Sequence, residues 1–172
     1  MSKIRYGVAM SLDGFIAGPN GEADWIVIDP EFNFSDLWAQ FDTALMGSRT
    51  YHAALARLGK SAFNNMKTFV ASRTLNPADY PGVTILRELD RDSLQSLRAQ
   101  SEKDIWLFGG GAIFAQLLAI GEVDTVEVTV IPVLLGGGVA LLPGPAQRTQ
   151  LRLLQHRIYR SGTLHLAYEV QR

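Results

Sequence analysis

Cysteine is absent from the 172-residue sequence, which excludes disulfides, thiolate nucleophiles, zinc–thiolate sites and cysteine-held iron–sulfur clusters. Long apolar runs are absent as well, since no stretch approaches the roughly 20 residues of a membrane-spanning helix. The amino-terminal residues also lack the apolar core of a signal peptide. These absences predict a cytoplasmic protein with no membrane partner.

An excess of one charge sign is the third absence. The 16 basic and 17 acidic residues leave a formal net charge of -1, so no broad field attracts a polyanion and we predict no nucleic-acid partner. The histidines His52, His156 and His165 lack the spacing of metal ligands. We interpret them as structural or surface residues and predict no metal site. With 47% hydrophobic residues, the chain is predicted to form a single domain over residues 1–172.

The first two thirds of the chain alternate between strand-like and helix-like segments. Apolar segments bounded by turn formers predict strands at residues 4–12, 43–46, 67–71, 83–86 and 105–108. Helical spacing and cap signals predict a short helix capped by Ser35, helices after Gly47 and Asp90, and a helix over residues 112–120. This alternation indicates a mainly parallel sheet with helices on its faces.

The last third of the chain follows a different pattern. Residues 126–133 are β-rich, and residues 151–160 and 163–170 flank Ser161-Gly162, a dipeptide suited to a hairpin turn. The predicted fold class is therefore α/β, a single-domain mixed, mainly parallel central sheet with flanking helices and an antiparallel C-terminal hairpin. Residues 13–30 are dense in turn formers and predict a long loop, a feature that is usually functional.

Three turns that follow predicted strands are suited to binding phosphate groups. The strongest is Gly109-Gly110-Gly111, where a buried strand meets a helix start and free N–H groups converge. A tight turn without a ligand explains this motif equally well. The other two are the turn from Gly47 to Thr50 and the basic turn Ser72-Arg73. Because parallel strands end at one edge of a sheet, the three turns together favour a dinucleotide.

Four motifs recur in this order in the dihydrofolate-reductase-like superfamily, which the chain resembles. They are the segment YGVAMSLDGFIAG at residues 6–18, the Gly47 turn, SRTL at residues 72–75 and FGGG at residues 108–111. The branch that it most resembles is the reductase domain of bifunctional riboflavin-biosynthesis enzymes, which has an ending similar to VIPVLLGGG at residues 130–138. The resemblance covers about residues 4–142.

The resemblance implies that the cofactor is NADPH. It assigns the nicotinamide carboxamide to the backbone at Ala9 and Ile16. It assigns the diphosphate and the nicotinamide side to Gly109, Gly110, Gly111, Ala112, Ile113 and Phe114, and the adenosine phosphates to Gly47, Ser48, Arg49, Thr50, Ser72 and Arg73. The superfamily commonly has an arginine where Ser48 stands, which leaves the choice between NADPH and NADH open unless Arg73 supplies the charge.

The substrate side is implied by position within the same resemblance. Asp13, Trp25 and Thr129 are the predicted substrate-binding residues, and Asp36 is the predicted catalytic carboxylate because a helix carboxylate holds the pterin in dihydrofolate reductase. The alternatives are that Asp36 faces solvent, that Asp13 ties the loop through an Asx-type turn and that Trp25 anchors the loop. The proton donor is either Asp36 or a bound water.

The predicted function is that of an NADPH-dependent oxidoreductase that transfers hydride to a C=N or C=O group of a small pterin-like or pyrimidine-like heterocycle. A riboflavin-pathway reductase and a folate reductase both fit this description, and the short helix around Asp36 disfavours the second. The alternative is a non-catalytic dinucleotide-binding module of the same fold. The resemblance also makes a homodimer an expectation.

Overall fold

A computed structural model gives the fold and describes residues 1–59, 63 and 65–172. The strands are β1 (Ile4–Ser11), β2 (Phe15–Ala17), β3 (Phe41–Gly47), β4 (Lys67–Ala71), β5 (Val83–Leu86), β6 (Asp104–Gly109), β7 (Thr125–Ile131), β8 (Val139–Ala140), β9 (Leu151–Ile158) and β10 (Leu164–Val170). The helices are α1 (Phe34–Trp38), α2 (Ser48–Leu58), α3 (Arg91–Gln100) and α4 (Gly111–Ala119), with a 3₁₀ turn at Pro77–Asp79. Within the described residues, no helix is long and apolar enough to cross a membrane.

Eight strands form one sheet in the order β5-β4-β3-β6-β1-β7-β10-β9. The neighbours from β5 to β7 are parallel. Strand β10 runs antiparallel to both β7 and β9. The predicted fold class, a mixed and mainly parallel sheet with an antiparallel C-terminal hairpin, is therefore confirmed. Strands β2 and β8 form a separate small antiparallel sheet, which the sequence did not predict.

One face of the sheet is covered by α3 and α4. Apolar side chains alternate along the central strands, so each strand directs every second residue to this face. The ring of Tyr6 on β1 stacks on that of Phe114 on α4, with centroids 3.9 Å apart. The buried side chains of this core are Ile4, Tyr6, Leu45, Phe69, Leu94, Leu97, Ile105, Leu107, Phe114, Leu117, Val123, Val126 and Val128. Burial of one such leucine or isoleucine contributes about 1.5–3 kcal/mol.

On the other face, the described residues provide cover at the two ends. Helix α2 packs on β3 and β4, where Tyr51 and Ala54 meet Ala44, Met46 and Val70. At the opposite end, Phe32 packs against Tyr159 and His165 and leads into α1. Between them lies a band of partly exposed residues, which we call the open strip: Gly7, Ala9, Trp106, Phe108 and Thr129. The strand register places these residues on the same face, with Arg5 level with Trp106 and Ala9 level with Thr129.

The start of α1 differs from the prediction. The N-cap is Asn33, whose side chain accepts hydrogen bonds from the N–H groups of Ser35 and Asp36, so the assignment of the cap to Ser35 was wrong. The helix ends at Trp38. Phe41 lies at a position that continues the helical spacing of apolar residues, but it begins β3 instead. The Phe41 ring stacks on Trp106 of the neighbouring strand, because pairing in the sheet overrides a short helical pattern.

Both ends of the chain are bound to one carboxylate. Asp124, just before β7, accepts hydrogen bonds from the N–H of Ile4 at 2.8 Å, from Arg98 at 2.9 Å and from Arg172 at 2.9 Å. Strand β1 begins at Ile4, and Arg172 is the last residue. The two ends therefore meet at the edge of the sheet where the parallel strands begin.

Candidate cofactor and substrate site

The three turns predicted to bind phosphate groups lie side by side at the carboxyl ends of β3, β4 and β6. Gly47 is level with Ala71, and Met46 is level with Gly109. The turn of residues 47–50, the turn of residues 72–73 and the turn of residues 109–111 therefore share one edge, as the sequence predicted. We call this the cofactor edge.

Two of the helices begin at the cofactor edge without a side-chain cap. Gly47 is the N-cap of α2 and Gly110 is the N-cap of α4, and neither helix start has a side-chain cap hydrogen bond. By contrast, Asn33 caps α1 and Asp90 caps α3. The first N–H groups of a helix have no intrahelical acceptor, so α2 and α4 direct donors and positive dipole ends toward the edge. This donor set fits the diphosphate of a dinucleotide.

The glycines allow the two helix starts to lie close together. A Cβ on Gly110 would lie 3.2 Å from Oγ1 of Thr50, and one on Gly47 would lie 3.1 Å from Cγ1 of Ile113. Gly109 has φ +123° and precedes a cis peptide bond to Gly110. These contacts join the α2 and α4 turns into one continuous surface.

Gly111 has a different reason to be glycine. A Cβ there would lie 2.7 Å from the carbonyl oxygen of Ala140 and 2.8 Å from Cδ of Pro143. The close approach at this position is thus to the chain's own backbone. Sequence reasoning attributed all three glycines to the phosphate and missed this packing requirement.

A pocket of about 560 Å³ opens beside the turn of residues 72–73. Its lining includes the predicted residues Ser72, Arg73 and Ile113. Arg87 also lines it and donates a hydrogen bond to the carbonyl oxygen of Arg73 at 2.6 Å. Sequence reasoning missed Arg87, although it follows β5 directly, at the same kind of strand end that drew attention to Arg73. Glu88 and Asp90 complete its charged lining, so the pocket beside the cofactor edge carries side chains of both signs.

Phe114 lies apart from the other predicted cofactor residues. Its side chain is buried in the core against Tyr6, and its N–H donates to the carbonyl oxygen of Gly110. Position 114 lies one turn into α4, on the side that faces the sheet. Its side chain therefore faces the core rather than the cofactor edge, and a cofactor contact by Phe114 stays a prediction. Ala112 in the first turn and Arg49 at the start of α2 are both exposed.

The two residues predicted for the carboxamide lie on neighbouring elements. Ala9 is in the open strip. Ile16 is in β2, which pairs with β8. The N–H of Leu141 donates to the carbonyl oxygen of Gly14, and the Ala140 carbonyl lies against Gly111. Residues 139–143 thus join the strand that carries Ile16 to the start of α4.

Asp13 joins two loops. Its carboxylate accepts hydrogen bonds from the hydroxyl of Ser11 at 2.6 Å, the N–H of Gly136 at 2.7 Å and the N–H of Leu135 at 3.1 Å. These donors, the Ser11 hydroxyl first, lower the pKa of Asp13 to about 2. The hydrogen bonds to Leu135 and Gly136 are long-range, whereas the alternative prediction was a local Asx-type turn. A substrate contact by Asp13 stays a prediction.

Two further contacts shape the long loop. The indole N–H of Trp25 donates to the carbonyl oxygen of Glu22 at 3.0 Å, which agrees with its alternative interpretation as a loop anchor. Asp29, which sequence reasoning treated only as part of a turn, is buried and accepts from the N–H groups of Glu31 and Ser161. Asp29 therefore binds the loop to the turn of the C-terminal hairpin.

Asp36 is exposed and accepts a hydrogen bond from Asn33 at 2.7 Å. It lines a second pocket of about 390 Å³ with residues that precede or begin strands, including Lys3, Arg5 and Thr125. Ala9 is four residues beyond Arg5, or about 13 Å along the strand. Asp36 thus lies beside the strand beginnings, while the cofactor edge lies at the strand ends, and its catalytic role stays a prediction.

The floor of this second pocket holds a buried ion pair that the sequence did not reveal. Arg5 donates to both carboxylate oxygens of Glu127, at 2.7 and 2.8 Å. Arg5 also donates to Asp104 at 3.3 Å. Beyond it, Thr129 Oγ1 and His165 Nδ1 are 3.2 Å apart. Arg5 and Glu127 are 122 positions apart in the sequence, so no local motif indicates the pair.

The sheet order, the two uncapped helix starts and the antiparallel hairpin define a protein of the dihydrofolate-reductase-like class. The family model of the RibD C-terminal domain matches residues 2–165. The chain belongs to this family, as the sequence motifs predicted.

Individual relatives agree with the family assignment. The chain is 31% identical over 177 residues to YyaP of Bacillus subtilis (strain 168), a protein described as uncharacterized, with 96% of this chain and 94% of YyaP covered. A putative riboflavin biosynthesis protein from Shewanella sp. PV-4 has a similar structure, with a TM-score of 0.85, 24% identity and 100% of both chains covered.

A longer bifunctional protein contains a similar fold. It is a diaminohydroxyphosphoribosylaminopyrimidine deaminase/5-amino-6-(5-phosphoribosylamino)uracil reductase from Thermotoga maritima, with a TM-score of 0.74 and 16% identity. The similarity covers 99% of this chain and 57% of that protein. At these identities, the two solved structures support the fold alone.

Proposed function

We propose that the protein is an NADPH-dependent reductase that transfers hydride to a C=N or C=O group of a small pterin-like or pyrimidine-like heterocycle. The observation that carries the proposal is the cofactor edge, where α2 and α4 begin without side-chain caps beside a pocket that contains Arg73 and Arg87. Membership of the RibD C-terminal domain family supports a reductase-like role.

The cofactor edge would hold the dinucleotide through backbone groups and arginines. The N–H groups at the starts of α2 and α4 bind the diphosphate. Arg73 meets the 2′-phosphate, because a guanidinium binds phosphate oxygens through paired hydrogen bonds. Arg87 holds the Arg73 backbone in place. A bound NADPH supplies the hydride, and the protein aligns the two reacting rings and keeps water out.

The open strip is the proposed substrate half. Ala9 provides a small floor there, and the Trp106 indole lies directly over the neighbouring Gly7. A Cβ on Gly7 would lie 2.8 Å from Nε1 of Trp106, and this N–H donates to the Gly7 carbonyl oxygen at 3.1 Å. The indole therefore forms a wall against the floor, a shape suited to a planar heterocycle. The first compound to test is 5-amino-6-(5-phosphoribosylamino)uracil, which is named for the Thermotoga protein.

The test combines cofactor binding with turnover in one preparation. We expect saturating NADPH to raise the melting temperature, because a ligand at about 100 times its dissociation constant adds about 2.7 kcal/mol. We also expect NADPH oxidation with 5-amino-6-(5-phosphoribosylamino)uracil to exceed that with 7,8-dihydrofolate. Unchanged melting with both NADPH and NADH would remove the cofactor from the proposal. A melting shift without turnover of either compound would favour the non-catalytic dinucleotide-binding module instead.

The expected homodimer has one structural observation in its favour. All eight residues of the edge strand β9 are exposed, including Leu151, Leu153, Leu154 and Ile158. An edge strand has unpaired backbone groups that a second strand satisfies. We propose a second copy of the chain as that partner, and light scattering of the purified protein measures the mass.

A further inference from the structure

A polar pair crosses the sheet beside Ala9. Ala9, Thr129 and His165 are Cα partners in successive strands β1, β7 and β10. Register partners point to the same face of a sheet, so the Thr129 hydroxyl lies in the open strip next to Ala9. Oγ1 of Thr129 is 3.2 Å from Nδ1 of His165. Thr129 therefore connects the proposed substrate floor to an imidazole.

His165 in turn connects Thr129 to the second pocket, which it helps to line. The charged groups facing it are Glu127 from β7, Arg5 from β1 and Arg157 from β9, and the Phe32 ring packs against its edge from the loop before α1. The rim of this pocket carries exposed residues, including Lys3, Gln155 and Arg157. Water in the pocket thus has access to the imidazole.

The carboxylates of Glu127 and Asp13 are already committed to other partners. Both oxygens of Glu127 accept from Arg5, and those of Asp13 accept from Ser11, Leu135 and Gly136. Among the described residues of the open strip, Thr129 offers a hydroxyl with a titratable partner directly behind it. A hydroxyl is an effective proton donor only when a second group supplies a new proton to its oxygen.

We infer that Thr129 and His165 form a proton relay for the reduction, an inference that rests on the proposed function. As hydride forms the new C–H bond, the electron pair of the C=N or C=O bond moves to the heteroatom. The heteroatom takes the proton of the Thr129 hydroxyl. Thr129 takes the Nδ1 proton of the His165 imidazolium, and His165 regains a proton from water in the second pocket. Thr129 is thus the catalytic residue, and His165 acts through it.

The relay predicts a pH dependence with a defined sign. Burial lowers the pKa of His165 below its usual 6.5, the Glu127 carboxylate opposes this shift and Arg5 adds to it. The proton-donating imidazolium therefore predominates only at acidic pH. The turnover rate kcat is expected to be highest there and to fall as the pH rises through the pKa of His165.

The test measures kcat and KM across pH for Thr129→Val, His165→Gln and the double variant, with NADPH and 5-amino-6-(5-phosphoribosylamino)uracil. A positioned proton donor contributes about 100-fold or more. We expect Thr129→Val to lose on the order of 100-fold in kcat, and His165→Gln to lose about tenfold with little change in KM. The double variant should be no slower than Thr129→Val, because the two residues act in series.

The controls separate a relay from a structural role. Thr129→Ser keeps the hydroxyl and should retain most of kcat. His52→Gln changes the same residue type at an exposed position of α2, outside the proposed dimer strand, and should leave kcat and its pH profile unchanged. Nitrogen NMR of the histidine rings provides a readout without substrate, in which Thr129→Val should shift the resonances of His165 and leave those of His52 in place.

Each outcome has a defined meaning. Loss of the pH dependence in His165→Gln, together with the non-additive double variant, supports the relay. If the wild type is active and His165→Gln leaves both kcat and its pH profile unchanged, the relay is overturned and the reductase proposal stands. The same conclusion follows if Thr129→Val leaves the NMR resonances of His165 unchanged. A wild type that binds NADPH and turns over neither that uracil compound nor 7,8-dihydrofolate overturns the proposed function, and the relay with it.

Discussion

The cofactor edge and the long loop differ in whether their polar groups have hydrogen-bond partners within the chain. At the edge, α2 and α4 begin without side-chain caps, and the Arg73 side chain is exposed. In the loop, Asp13 and Asp29 each accept hydrogen bonds from distant parts of the chain. Donors left without an internal partner are available to a ligand, whereas donors already bound to carboxylates hold the chain in shape.

This difference explains why the cofactor class is easier to infer than the substrate. The edge displays backbone N–H donors and arginine side chains, and these groups bind anionic oxygens of a ligand. The proposed substrate half displays mainly a shape, formed by Ala9 and by the Trp106 indole that lies over Gly7. A shape admits several planar heterocycles, so binding assays must decide among them.

The largest expected effect is a difference in stability and in NADPH binding between variants of two adjacent glycines of the edge. Gly111→Ala places a Cβ against the Ala140 carbonyl and should cost about 1–3 kcal/mol of stability, or several degrees of melting temperature at about 2–4 °C per kcal/mol. Gly110→Ala meets only the Thr50 hydroxyl, so the protein should melt nearly as the wild type does while NADPH binds about tenfold more weakly. Melting curves and NADPH titrations of both variants measure the contrast. Equal destabilisation by the two changes would show that both glycines serve packing alone.

An effect of comparable size tests the basic side chains of the edge. Arg73→Ala should weaken NADPH binding by about 1.5–3 kcal/mol, the range for hydrogen bonds to charged groups, and leave NADH binding nearly unchanged. Arg49→Ala is the matched control and should have the smaller effect. Tryptophan fluorescence quenching gives the dissociation constants. Equal losses for both cofactors would assign Arg73 to the diphosphate or the adenosine, and a larger selective loss in Arg49→Ala would transfer the role to the α2 turn.

The smallest expected effect concerns the loop. Because the pKa of Asp13 is lowered to about 2 from an unfolded value of about 3.9, its contribution to stability is complete above the unfolded value and is lost as the pH falls toward 2. Asp13→Asn should therefore flatten the decline in melting temperature between about pH 4 and pH 2. Asp24→Asn in the same loop serves as the control. An acid profile identical to that of the wild type would mean that the Asp13 tie does not stabilise the fold.

Local sequence signals predicted the sheet and the cofactor edge well. Strands β4 and β5 have the predicted limits, and α2 follows Gly47 as predicted. The glycine turns were found because a buried strand followed by glycine marks a strand end within a few residues. Arg87 carried the same kind of signal and was overlooked.

Long-range partners could not be predicted in the same way. Asp29 and Ser161 are 132 positions apart, and Thr129 and His165 are 36 apart. Their contacts arise only when the sheet brings distant strands together, and each residue alone looks like an ordinary turn or surface residue. Asp36 also shows how little a local match reveals, since matching one helix to another does not say where along the sheet that helix lies, and its catalytic role stays a prediction.

The junction at Asp124 has a consequence for attaching other domains. Both chain ends are bound there, where the parallel strands begin, and the eight residues of β1 separate this edge from the cofactor edge by about 26 Å. A domain fused to either end would emerge on the side away from the cofactor edge. Linking the two ends and opening the chain at an exposed loop elsewhere should likewise be tolerated, since closely spaced termini favour circular permutation.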